Sequence, residues 1–83
     1  MAVRVTIETA SKAEAERIAA LLAQDAEPES WRGFGVIRLG RRSEAETADV
    51  MEAVATGVER HDVRWARVRY DDEERVFRSN GRR

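Results

Sequence analysis

The chain opens on strict alternation. In Val3-Arg4-Val5-Thr6-Ile7-Glu8, Val3, Val5 and Ile7 fall on one side and Arg4, Thr6 and Glu8 on the other. A period of two describes a half-buried strand. At Ser11 the pattern changes. Ser11-Lys12-Ala13-Glu14 has the spacing of a capping box, in which the serine hydroxyl takes a free helix N–H and the glutamate reaches back to the serine amide. Behind it Ala15, Ile18, Ala19 and Leu22 recur at helical intervals, with Leu21 beside them and charges opposite. This helix should fade by Glu27, because Pro28 restricts the residue before it and cannot extend the hydrogen-bond ladder.

A second strand is predicted over Trp31-Arg32-Gly33-Phe34-Gly35-Val36-Ile37-Arg38-Leu39, with Ile37 and Leu39 on one face and Phe34, Val36 and Arg38 on the other. A second capping box, Ser43-Glu44-Ala45-Glu46, precedes Thr47, Val50, Met51, Val54 and Val58 at helical spacing. Gly57 either lies inside that helix or caps its end. From Val63 to Tyr70 the pattern is again β, but Val63 and Trp65 have the opposite parity to Val68 and Tyr70, so a bulge near Ala66-Arg67 is expected. Asp71-Asp72-Glu73 reads as a turn and Glu74–Arg78 as a returning strand. Ser79-Asn80-Gly81-Arg82-Arg83 reads as a flexible, Arg-rich tail on a single domain spanning residues 1–78.

A weak repeat of period 32 aligns Val5 with Ile37, Ser11 with Ser43, Glu14 with Glu46 and Ile18 with Val50. The predicted order is β-α-β-α-β-β. Helical crossovers favour parallel neighbours, so the expected fold is an α+β two-layer sandwich. Its sheet is mixed and four-stranded, with both helices on one face and the other face open.

Charge changes this picture only locally. The 83 residues carry 15 basic and 16 acidic groups, and 14 of the basic groups are Arg. A net charge of −1 argues against sequence-blind binding to polyanions or anionic membranes. The sum conceals unlike segments: residues 1–30 hold three basic and six acidic groups, whereas residues 61–83 hold seven and five. The absence of Cys excludes disulfides and thiol chemistry. No apolar stretch of membrane-spanning length or leader character is present, so the expected setting is cytoplasmic.

Candidate chemistry is sparse. His61 is the only imidazole and falls at the end of the second helix, where it would complement the helix dipole. Ser11 and Ser43 are accounted for as caps. Asp71-Asp72-Glu73-Glu74 lacks the spacing of a calcium loop. No catalytic residue, metal or cofactor is expected. The open face is the better candidate, with Phe34, Val36, Trp65 and Phe77 as apolar contacts and Arg38 and Arg69 as a polar rim. Val76 takes the place of Phe77 if the last strand is shifted by one. Trp31 and Trp65 are expected to bury their rings at the sheet edge or in the core, with a role as aromatic interface anchors as the alternative.

Arg32-Gly33-Phe34-Gly35-Val36-Ile37-Arg38-Leu39 also resembles the second ribonucleoprotein signature of RNA-recognition-motif domains. That resemblance implies single-stranded nucleic-acid binding, with Phe34 as a stacking surface and Arg32, Arg38, Arg67 and Arg69 holding phosphates. Val36 and Leu39 stand where the signature has aromatics, Arg4 replaces the aromatic of the companion signature, and no strand is predicted between the first helix and this segment. The expected function is therefore a non-catalytic protein-interaction domain. It would self-associate through the open face or an edge strand, with nucleic-acid binding as the alternative.

Overall fold

A computed structural model describes residues 2–79. The elements are β1 (Val3–Thr9), α1 (Lys12–Leu21), β2 (Pro28–Trp31), β3 (Phe34–Arg42), α2 (Glu44–Arg60), β4 (Trp65–Tyr70) and β5 (Glu73–Arg78). They form an α+β sandwich of two helices on a five-stranded sheet, ordered β2-β3-β1-β4-β5 with every neighbouring pair antiparallel. The first six elements follow the split β-α-β arrangement.

The mixed, four-stranded expectation is corrected by β2. This strand has four residues, begins at a proline and is mostly exposed, so it carries neither periodicity nor β-branched residues to signal it. It pairs with β3 through Trp31↔Phe34, and the two-residue turn between them is Arg32-Gly33, at φ 52° and 85°. Positive φ at both positions is the geometry that matches the twist of paired strands. The parallel crossover from β1 through α1 thus arrives at β2, and β3 fills the gap between them in the opposite direction. Because β1 and β3 are antiparallel, the two strand–helix copies of the repeat face each other about a local two-fold, with Ile7 opposite Ile37.

Two further expectations shift. Val63 precedes β4 and is buried in the core, so β4 starts at Trp65 with uninterrupted alternation and needs no bulge near Ala66-Arg67. The bulge lies in β3 instead: Val5 pairs with Gly40 and Thr6 with Arg38, leaving Leu39 unpaired and Gly40 at φ 71°. Gly57 lies inside α2, where a Cβ would come within 3.1 Å of Ile18 Cγ1 on α1. There the missing side chain permits close helix contact. The tail expected at 79–83 falls, apart from Ser79, outside the described residues. Ser79 N–H donates to the Arg64 carbonyl at 3.0 Å.

The core lies between the helices and one sheet face. Val5, Ile7, Ile37, Ala66 and Val68 meet Ala15, Ile18, Val50 and Val54, all fully buried. Helix α1 stops at Leu21, well before Glu27, and Leu22 caps it by donating its N–H to the Ala19 carbonyl. The α2 box is complete: Ser43 Oγ accepts from Glu46 N–H, and Glu46 accepts from Ser43 N–H at 2.9 Å. The hydrogen bond from the Ser43 backbone holds the Glu46 carboxyl below its ordinary value of 4.5, and the Ser43 side chain adds to the effect.

In the α1 box only the Ser11 half forms. Glu14 is buried and turns to the segment before β4, accepting Arg64 N–H at 3.0 Å and Arg64 Nε at 2.6 Å. Arg64 thus ties that segment to α1. A third constraint sits at Gly35, where a Cβ would be forced against the Ser11 carbonyl, Thr9 Oγ1 and Ala15 Cβ.

Gly35→Ala is expected to lower stability by about 1–3 kcal/mol, read from the urea midpoint, because two of the obstructing atoms belong to backbone and helix. Glu14→Ala should cost about 1–2 kcal/mol. Arg64→Ala should cost less than Glu14→Ala in the same assay, since the Arg64 backbone N–H still reaches the carboxylate.

Candidate functional site on the open sheet face

Alternation along each strand decides what faces away from the helices. Cross-strand pairing arranges those side chains in rows running across the sheet. At one end lie Trp31, Phe34, Trp65 and Arg78, since Trp31 pairs with Phe34 and Trp65 with Arg78. Thr9, the last residue of β1, pairs with both Gly35 and Ala66, so Phe34 and Trp65 converge just beyond its end. Their ring centroids are 6.1 Å apart with planes tilted by 59°, within the range of favourable aromatic contact. Trp31 is 51% exposed and Phe34 44%. The Arg32 guanidinium lies over the Trp31 ring, 5.0 Å from its centroid.

The next row holds Glu29, Val36, Glu8, Arg67 and Val76. Arg67 Nη1 donates to Glu8 Oε1 at 2.9 Å, while its Nε lies 3.7 Å from Glu74 Oε2 and makes no hydrogen bond. Its guanidinium carbon is 5.9 Å from the Trp65 ring centroid. A third row contains Arg38, Thr6, Arg69 and Glu74, with Arg38 bound to Glu29 at 2.6 Å and Arg69 to Glu74 at 3.4 Å. The far end holds Arg4 opposite Arg41. Six strand arginines thus share this face with Glu8, Glu29 and Glu74, whereas α2 carries five carboxylates and one arginine. The two layers of the sandwich are oppositely charged.

Most of the expected residues are brought together. Phe34, Arg38, Trp65, Arg67 and Arg69 share the face, and Arg32 stands at its border in the β2–β3 turn. Two are placed differently. Phe77 pairs with Ala66 and packs against the core on the helix side, so Val76, 45% exposed, takes its place. Val36 does face outward but is only 4% exposed, so side chains of the same face already cover it and leave little for a partner.

Trp31 and Arg41 gain importance from tertiary pairing. Trp31 joins the aromatic row through the turn, and Arg41 reaches the open face because the bulge shifts parity after Leu39. The Gly residues at 33 and 40 are the only local trace of either device. His61 caps α2, donating its N–H to the Gly57 carbonyl, and is exposed. Among the described residues no group of three or more His, Asp or Glu side chains converges as metal donors, and no helix is long and apolar enough to cross a membrane.

Comparison of the chain with protein-family models, curated proteins and solved structures gives no match in any of the three.

Glu8→Ala removes the short partner of Arg67 and should cost about 0.5–1 kcal/mol, a modest value because both side chains retain solvent contact. Urea unfolding at low and high salt checks this, and the difference from the parent protein should shrink as salt rises.

Proposed function

We propose that this domain is a non-catalytic protein-interaction module that self-associates through its open sheet face, with the aromatic row at the centre of the contact. The observation that carries this reading is the exposure of Trp31 and Phe34 beside Trp65 on a face without helices. Large aromatics flanked by arginines are the side chains that dominate binding energy at protein interfaces. A two-fold axis through the aromatic row would set each copy's rings against the other's. Arg38, Arg67 and Arg69 already have carboxylates on their own face, so little repulsion opposes such packing. Arg4 and Arg41 lie six residues along the strands from that row, about 20 Å away, and stay outside the contact. Size argues the same way, since a chain this short buries only about 60% of its unfolded surface and benefits from further burial.

Single-stranded nucleic-acid binding is the second reading, and β2 favours it. The strand that the ribonucleoprotein resemblance requires before Arg32–Leu39 is present, and Phe34 faces outward on β3, an interior strand. Bases would stack on Trp31, Phe34 and Trp65. The carboxylates of Glu8, Glu29 and Glu74 occupy three of the arginines that would otherwise hold phosphates, and for that reason self-association is preferred.

Light scattering coupled to size exclusion is expected to give a dimer at high micromolar concentration. The Trp31→Ala/Phe34→Ala variant should shift it to monomer, with the dissociation constant raised at least about tenfold. A parent protein that stays monomeric would overturn self-association. If tryptophan fluorescence then responded to single-stranded RNA or DNA at low salt and lost the response at high salt, the second reading would stand in its place.

A further inference from the structure

We propose that the end of the open face remote from the aromatic row is a binding site for a small phosphorylated molecule, with Arg4, Arg41 and Arg69 as its phosphate ligands. The three arginines line a concavity of about 410 Å³ together with Ala2, Val3, Thr6 and Asp71. That volume is within the range of small-molecule sites.

The argument begins with a broken rule. Arg4 and Arg41 are directly opposite each other on β1 and β3, and like charges at such a pair destabilise a sheet. Of the other four strand arginines on this face, three have a carboxylate partner: Arg38 has Glu29, Arg67 has Glu8, and Arg69 has Glu74. The fourth, Arg78, lies opposite Trp65 and not opposite another arginine. Neither the Arg4 nor the Arg41 guanidinium makes an ion pair or hydrogen bond among the described residues. Arg69 is held only at Nε, by a 3.4 Å hydrogen bond, so its other nitrogens remain available to the cleft.

The juxtaposition is also built. Without the bulge, alternation would carry Arg41 to the helix side with Ile37 and Leu39. The unpaired Leu39 and the positive φ of Gly40 bring Arg41 out beside Arg4. Guanidinium groups match the tetrahedral oxyanion of a phosphate, each offering two parallel donors, and an anion between them would turn repulsion into attraction. Thr6 adds a hydroxyl at the same wall.

Asp71, on the β4–β5 turn, sets the class of ligand. Its carboxylate would repel a second anionic group and accept a hydroxyl or amine. A ligand with one phosphate for the arginines and hydroxyls for Asp71 is a sugar monophosphate or a nucleoside monophosphate.

The test uses the full chain in phosphate-free, low-salt buffer, titrated with inorganic phosphate, AMP and adenosine and followed by amide NMR shifts. Saturable shifts at Arg4, Thr6, Arg41 and Arg69 are expected with phosphate and AMP, with AMP tighter than phosphate, and none with adenosine. Arg41→Gln should weaken binding about tenfold or more. It should also raise the melting temperature of the ligand-free protein by about 1–5 °C, because a repulsive pair is gone. Arg4→Gln should do both as well and serves if Arg41→Gln folds poorly. The absence of saturable shifts, equal shifts with adenosine, or unchanged binding in both variants would overturn the proposal. So would a response to a single-stranded oligonucleotide without one to phosphate or AMP. The oligomeric state, measured on the same samples, separates this outcome from that for self-association.

Discussion

The arrangement depends on one close approach. Gly35, with no side chain, lets β3 pass directly beneath the Ser11 carbonyl at the start of α1, with Thr9 and Ala15 alongside. Thr9 Oγ1 completes the seam by donating to the same carbonyl at 2.7 Å. This contact fixes β3 beside β1 in a single register, with Thr9 opposite Gly35. A slip of one residue would turn Ile37 outward and Phe34 inward, so the same constraint that packs the core also selects what the open face displays.

With the register fixed, the open face is ordered along its length. Aromatic rings occupy one end, ion-paired arginines and glutamates the middle, and unpaired arginines the far end. Each end owes its composition to a backbone device. The Arg32-Gly33 turn folds Trp31 back beside Phe34, and the Leu39-Gly40 bulge brings Arg41 beside Arg4. Both devices require positive φ, a conformation that glycine adopts without steric cost and that Arg32 adopts only under strain.

Elements with strong periodicity were legible. β1 and both helices were expected near their observed positions, because alternation and 3.6-residue spacing each follow from one buried face. Three open-face contacts, Phe34, Arg38 and Arg69, also followed from parity, whereas the bulge expected near Ala66-Arg67 would have put Trp65 on the side of Val68 and Tyr70. β2 did not, since four mostly exposed residues beginning with proline have no buried face to leave a pattern. Val63 imitated a strand residue while belonging to the loop that seals the core, and that false parity called for a bulge where none exists. Glu14 had the correct spacing for a capping box, but its carboxylate went to Arg64, a partner fifty residues away.

By itself the sequence determined a two-layer α+β domain with helices on one side of a sheet, because each segment's apolar stripe is a local property of its own residues. Strand order, direction and the membership of each row were decided only in the tertiary structure. They depend on which strand fills the gap between β1 and β2, a competition settled by glycine contacts and turn geometry between residues distant in the chain. The −1 net charge belongs to the sequence. Its division into an arginine-rich sheet face and a carboxylate-rich α2 belongs to the fold, because only the folded sheet places alternate residues of five strands on a common side.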